Sequence, residues 1–487
     1  MLLATILGSA MASIDATVVG IALPDIGRDF GHASLSTLQW VVTAYTLTLA
    51  GLLLFSGALG DAYGRRKIFL IGVAWFAVAS VICAAAPDAP VLILARAVQG
   101  VGAALLTPGS LAILEASFRQ QDRSRAIGAW SGFAGVGTAV GPFLGGWLIS
   151  AVSWRLIFVI NVPVAALTLA VAVRHVPESR DEATAGRLDT AGAVLVTVGL
   201  VGLTYGLIEG PASGWGKPLT LVSLILGVAL LAAFVARERR APAPLMPLSM
   251  FRSAQFSAAN LVTFAVYGAL GGAFFLLPIE LEQVAGYSPL EAGVALLPVT
   301  FIMLVLSARS GALAARIGPR LQMSVGPVVI GLGLLLLTRV SASGNYLTEV
   351  LPALLVFGFG LAINVAPLTS TVLAAAPPER AGTASAVNND VARAAGLIAV
   401  AVLPAAAGLG ATSYLHPALF SAGFHTAALI TAALCVAAGA LAAVTIRNPA
   451  RVPQAAEAQP QALHCGLDAP PQRPAPQTGT GAPRPAG

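Results

Sequence analysis

The chain has 487 residues, of which 57% are hydrophobic and only 10% charged, whereas soluble domains carry about 25% charged residues. Apolar runs of about 20 residues, enough to cross a hydrocarbon core of about 30 Å as helix, recur along almost its whole length, so a soluble protein is excluded. The formal charge of +6 does not imply a nucleic-acid partner, because the arginines fall in short connections between apolar runs.

In chain order, the spans are predicted at approximately 2–23, 36–58, 67–87, 90–114, 126–150, 155–173, 189–209, 219–236, 254–279, 290–314, 321–340, 347–375, 380–409 and 423–446. The fold class expected is therefore an all-α polytopic membrane protein of about fourteen transmembrane helices. The first run lacks a basic leader and is long enough to span, so it is read as a retained helix. From residue 447 onward the chain is rich in Pro, Gln, Ala and Gly, which predicts a disordered tail. Cys83 and Cys435 lie in apolar spans and Cys465 in the tail, which gives neither a disulfide framework nor a metal site. With the N-terminus inside, nineteen of the 27 basic residues fall on one side of the membrane; the other side holds Arg28, Arg155, Lys217 and Arg339. Basic connections stay cytoplasmic, so both termini are expected in the cytoplasm and the protein in the plasma membrane.

Between the second and third spans stands GALGDAYGRR (57–66), and between the tenth and eleventh stands GALAARIGPR (311–320). The two share Gly, Ala, Leu, a second Gly and the final Arg, and a weaker echo joins QGVGAALLTPGS (99–110) to FGFGLAINVAPLTS (357–370). Two six-helix halves separated by two extra helices place these copies at equivalent positions. Such repeated halves around a midplane site are expected of an alternating-access transporter. The domains expected are a six-helix bundle at 1–175, two linker helices at 176–253, a second bundle at 254–446 and the tail at 447–487. In the first copy, Gly57 and Gly64 permit close approach and a tight turn. Asp61, Arg65 and Arg66 are candidates for a charged latch between the halves.

GALGDAYGRRK resembles the loop signature of the major facilitator superfamily, and RAVQGVGAA (96–104) its fourth-helix motif. GTAVGPFLGG (137–146) resembles the fifth-helix motif of its antiporters. SIDATVVGIALP (13–24), WRLIFVINVP (154–163) and LDTAGAVLV (188–196) resemble the fourteen-span drug:proton antiporter branch. Gly20 stands where that branch often has Asn, and Ala315 stands in the second loop copy where the first has Asp61. The resemblance implies a proton-coupled exporter and a gating role for Gly137, Gly141, Pro142, Gly145 and Gly146. By themselves, glycines four residues apart give a smooth face for close helix packing, and Pro142 removes a backbone hydrogen bond.

Charges at mid-membrane cost about 2.5–3.5 kcal/mol even on the lenient insertion scale, so each demands a reason. Asp15 lies about 13 Å from the outer end of its predicted span, Asp390 about 15 Å into the thirteenth, and Arg96 about 9 Å into the fourth. Arg393 follows Asp390 by nearly one turn, so the two could simply neutralise each other. None of the histidines at 32, 175, 416, 425 and 464 falls inside a predicted span interior, which leaves a carboxylate to titrate. Burial disfavours a charged carboxylate and a nearby arginine favours it, so an Asp–Arg pairing that changes with conformation is a plausible coupling device. Asp15, Arg96, Asp390 and Arg393 are the candidates. Glu280 and Glu282 are read as interfacial and solvated. Gln99, Asn161, Asn364, Asn388 and Asn389 are candidate substrate contacts, or equally helix–helix glue. Few polar anchors in an apolar cavity suit amphipathic, and with a buried acid cationic, small molecules.

The partners expected are a small-molecule substrate, protons and the lipid bilayer, with a monomer as the working unit. No cofactor, metal, ATP or nucleic acid is expected, since there is no phosphate-binding loop or catalytic cluster. The competing readings are export of one endogenous metabolite or lipid, and a non-transport membrane enzyme or sensor.

Overall fold

Away from water, a chain must satisfy its backbone N–H and C=O groups internally, and a helix does so within one segment. The computed structural model describes residues 1–31, 33–118, 120–180, 188–242, 244–377 and 380–448, and these contain helices and turns but no strand. The long helices are α1 (Leu2–Asp29), α2 (Leu35–Tyr63), α3 (Arg65–Ala84), α4 (Ala89–Ser117), α5 (Gln120–Ala151), α6 (Leu156–His175) and α7 (Thr190–Ser213). They continue as α8 (Pro218–Glu238), α9 (Ala254–Gln283), α10 (Pro289–Ile317), α11 (Pro319–Arg339), α12 (Tyr346–Ala374), α13 (Ala381–Ala406) and α14 (Pro417–Thr445). Among the described residues, thirteen helices are long and apolar enough to cross a membrane. The other is α5, 32 residues long, whose apolar part is Val140–Ala151. Residues 1–448 form one compact unit. The predicted tail beyond residue 448, with His464 and Cys465, lies outside the described residues, as does His32.

Several boundaries differ from expectation. Helix α1 runs on through Pro24 to Asp29, because the single N–H that proline lacks removes only one bond from the ladder. Helix α2 continues to Tyr63, so the predicted loop shrinks to one residue, Gly64. Gly64 has φ +112°, which favours glycine, and a Cβ there would stand 2.7 Å from the Glu178 carboxyl. Helix α14 starts at Pro417, so His425 lies eight residues inside it, about 12 Å along the axis. The elimination of histidine therefore fails for His425, whose Nε2 is buried without a hydrogen-bond partner.

Helices α1–α6 pack on one another, as do α9–α14, while α7 and α8 pair and lean on α2. The repeat is physical as well as textual. Glu178 accepts from the Arg66 and Lys67 N–H groups at 3.0 and 3.2 Å, capping α3. In the second bundle Asn448 Oδ1 accepts from the Arg320 N–H at 3.0 Å, capping α11. Arg66 Nη2 donates to the Val173 carbonyl near the end of α6, and Arg320 Nε to the Ala443 carbonyl near the end of α14. Gly102 of α4 lets α3 approach at Phe76, and Gly360 of α12 lets α11 approach at Ile330. The same glycine thus holds the same helix pair in each half.

Contacts between the bundles crowd towards the arginine-poor face. Gln39 Nε2 donates to the Val400 and Ala401 carbonyls, at 2.6 and 3.3 Å. The Leu35 N–H donates to the Ala411 carbonyl at 2.8 Å, and the Tyr414 hydroxyl donates to the Ala33 carbonyl. Among the described residues these are the hydrogen bonds that join α1–α6 directly to α9–α14. On that same side, Gly146 meets Pro289 and Leu290, and Gly293 meets the Pro142 carbonyl.

Candidate functional site

Asp15 sits halfway along the 28-residue α1 and is fully buried. Helix α4 supplies Arg96 and Gln99, three residues apart and so on neighbouring positions of one face. Arg96 Nη1 donates to Asp15 Oδ2 at 2.5 Å and to Gln99 Oε1 at 2.6 Å. Its Nε donates to the Val41 carbonyl of α2 at 3.2 Å, and the guanidinium lies 4.3 Å from the Tyr45 ring centroid. Gln99 Nε2 and Asn161 Nδ2 donate to Asp15 Oδ1, at 2.8 and 2.9 Å. Both also reach the Ser80 hydroxyl of α3.

Arg96 is 1% exposed and Asp15 0%, so this is a fully desolvated pair. Such a pair persists only when the remaining donors and acceptors are satisfied. Here every oxygen of Asp15 is bonded, and helices α1, α2, α3, α4 and α6 each contribute a group. Gln99 and Asn161, expected against substrate, are joined to Asp15 in this conformation. Ser80, Tyr45 and the Val41 carbonyl were missed from the sequence. A serine in an apolar run and a backbone carbonyl carry no local signal of that role.

The second charged group, on α13, is built differently. Asp390 and Arg393 make no ion pair with each other, and Asp390 Oδ1 and Arg393 Nε are buried without partners. Mutual neutralisation by a direct contact is therefore not what holds them. Asn388 Nδ2 donates to Asn260 Oδ1 and Thr263 Oγ1 of α9, which is helix–helix glue. Asn389 is exposed and bonds its own helix at the Ser385 carbonyl. Asn364 is fully buried with both side-chain polar atoms unpartnered.

The gating candidates fall into two groups. Asp61 Oδ1 accepts from Arg65 Nε at 2.7 Å, and Arg65 Nη1 reaches the Ala112 carbonyl of α4 at 3.5 Å. Gly57 lies against Pro108 of the same helix. This motif ties α2, α3, α4 and α6 together within one bundle here. On α5, Gly137, Gly141 and Gly145 face Ala10, Thr17 and Val18 of α1, where an added Cβ would stand 3.3 Å from Ala10 and under 3.0 Å from Thr17 and Val18. Pro142 and Gly146 face the start of α10 instead. One helix thus uses one stripe inside its bundle and another across the divide. Glu280 was expected to be solvated and is not: it is fully buried, with neither carboxyl oxygen hydrogen-bonded. Both Glu282 oxygens are buried and unpartnered as well.

Residues 5–401 match the Major Facilitator Superfamily. The chain is 39% identical over 387 residues to the multidrug resistance protein Stp of Mycobacterium tuberculosis, covering 79% of this chain and 71% of that one. It is 39% identical to the tetracenomycin C resistance and export protein of Streptomyces glaucescens (82% and 74% covered), and 40% identical to the puromycin resistance protein pur8 of Streptomyces alboniger (80% and 78%). Among solved structures, a peptide transporter POT superimposes with a TM-score of 0.64 at 16% identity, covering 90% of this chain and 95% of that one. The xylose transporter XylE from E. coli, in an inward-open conformation, gives 0.59 at 15% identity, covering 93% and 97%. With the family matched over most of its length and the fold matched over nine-tenths, this chain is a membrane transporter of the Major Facilitator Superfamily and not an enzyme.

Proposed function

We propose that the protein is a proton-coupled secondary exporter of amphipathic, drug-like compounds, lipophilic cations among them, working as a monomer in the plasma membrane. The bundles are residues 1–175 and 254–446, the linker helices lie within 176–253, and 447–487 is a cytoplasmic tail. The arginine-rich face is cytoplasmic, as basic connections tend to be, and both termini lie there. On that assignment the described conformation is closed outward. Asp61, Arg65 and Arg66 form the inner latch only when the molecule opens outward.

One observation carries this reading: a fully desolvated Asp15–Arg96 pair halfway along α1, with the guanidinium held over the Tyr45 ring. Moving a proton onto Asp15 would release Arg96, and the charge change would be felt at the bundle interface. Relatives named for resistance to several compounds support broad export. Those named for tetracenomycin C and puromycin favour a second reading, export of one product.

The test is flux of ethidium, a fluorescent lipophilic cation, in proteoliposomes with an imposed pH gradient. Flux should follow the gradient in the wild type and lose that dependence in Asp15→Asn. Ethidium movement indifferent to the gradient in the wild type would refute antiport. A panel including puromycin and unrelated cations separates broad from narrow export.

A further inference from the structure

Glu280 lies one turn from the end of α9, where the two bundles are closed on the arginine-poor face. Its relative exposure is 0%, and neither oxygen has a hydrogen-bond partner. The Ser421 hydroxyl of α14 is near enough to act on the carboxyl but makes no well-formed hydrogen bond. Among the described residues no cation offsets it. Asp25 and Arg28 of α1 pair with each other at 2.9 Å and act on Glu282. Glu291 is engaged with Ser288, and Glu349 with Ser341 and Ser343. Tyr287 donates to the Gly344 carbonyl, Tyr346 reaches the Ala295 carbonyl, and Tyr414 is bonded to Ala33. From α14, His425 lies one turn deeper than Ser421, and His416 precedes the helix start without a side-chain capping bond. Asp390 and Arg393 sit deeper on α13.

An ionised carboxylate stripped of water, with no partner and no cation, is among the costliest groups a protein interior can hold. We propose that Glu280 is a second proton-binding site, distinct from Asp15, which must be loaded from the arginine-poor side before the bundles can close there. The path is short. Ser421 lies four residues into α14, just below the 413–415 turn whose Tyr414 hydroxyl holds Ala33 of the first bundle. Parting of that contact wets Glu280, which then ionises as an ordinary glutamate does. Closure sheds the water and requires the proton back. The closed state therefore binds one more proton than the open state at neutral pH. Its population falls up to tenfold per pH unit as pH rises above the ordinary carboxylate range. This proton returns to the side it came from, so it sets when the gate closes and does not change the number of protons exchanged per cargo.

The proposal rests on the alternating-access reading but not on proton antiport, and the experiment keeps the two apart. Spin labels go on the exposed Val152→Cys and Leu347→Cys, one in each bundle, in the full-length chain carrying Cys465→Ser. The distance between them is read in nanodiscs across a pH series. The short, closed distance should dominate in acid and give way to a longer one as pH rises. Glu280→Gln, a permanently neutral mimic, should hold the short distance throughout, while Glu282→Gln should behave like its parent. At neutral pH an infrared carboxylic C=O band should be present and weaken in Glu280→Gln. A pH response unchanged in Glu280→Gln, one abolished instead by Glu282→Gln, or no Glu280-dependent carboxylic band would overturn the proposal. Failure of gradient-driven ethidium flux would sink antiport and leave this result standing.

Discussion

Replacing Asp15 by Asn changes one atom and one charge, and the geometry of the site sets the consequence. Oδ1 accepts from Gln99 and Asn161, and Oδ2 from Arg96 at 2.5 Å. The amide oxygen can serve the two amide donors, which leaves its NH2 facing the Arg96 guanidinium, donor against donor. A hydrogen bond to a charged group is worth about 1.5–3 kcal/mol. Leaving the other charge buried and unpaired brings the total to about 3–5 kcal/mol. Arg96→Gln should cost a similar amount, for the mirror-image reason. The double variant should cost no more than about one of the singles, a coupling of at least ~2 kcal/mol. Asp15→Leu combined with Arg96→Met, which replaces both charges by apolar groups, should restore most of the wild-type stability while abolishing gradient-driven flux. Unfolding by SDS in mixed micelles, followed by tryptophan fluorescence, measures all four. Single-variant losses below ~1 kcal/mol, or a coupling within ~0.5 kcal/mol of zero, would refute the reasoning that this pair is desolvated and mutually dependent.

Gly64→Ala should lower stability by at least ~1–2 kcal/mol from the left-handed backbone alone, with more from the Glu178 carboxyl that fills the space; thermal unfolding in detergent checks it. Glu178→Ala should cost about 1 kcal/mol by uncapping α3, and Glu178→Gln less, on the same assay. Gly141→Leu should separate α1 from α5 and destabilise by about 1–3 kcal/mol, with gradient-driven flux falling in parallel. Gly293→Val pushes against the Pro142 carbonyl, so it should favour the conformation open on the arginine-poor face. Cysteine labelling of residues lining that side should rise, and a labelling pattern equal to wild type would count against the gate assigned to α5 and α10.

Apolar run length, the crowding of arginines on one face and the repeated Gly-x-x-x-Asp/Ala-x-x-Gly pattern are local properties, and they were enough to read a helical membrane transporter with two related halves. The pairing of Gly102 with Gly360, and of Arg66 with Arg320, was legible because glycine and arginine keep the same neighbours in each bundle. Tertiary structure alone decided which charges meet. Asp15 and Arg96 are 81 positions apart and pair because α1 and α4 cross at that depth. Asp390 and Arg393, one turn apart, do not pair, although Asp25 and Arg28 at the same spacing do. Tertiary packing also buried Glu280, and the early start of α14 took in His425. Solvation depends on what covers a residue, and in this protein the cover comes from helices distant in the chain.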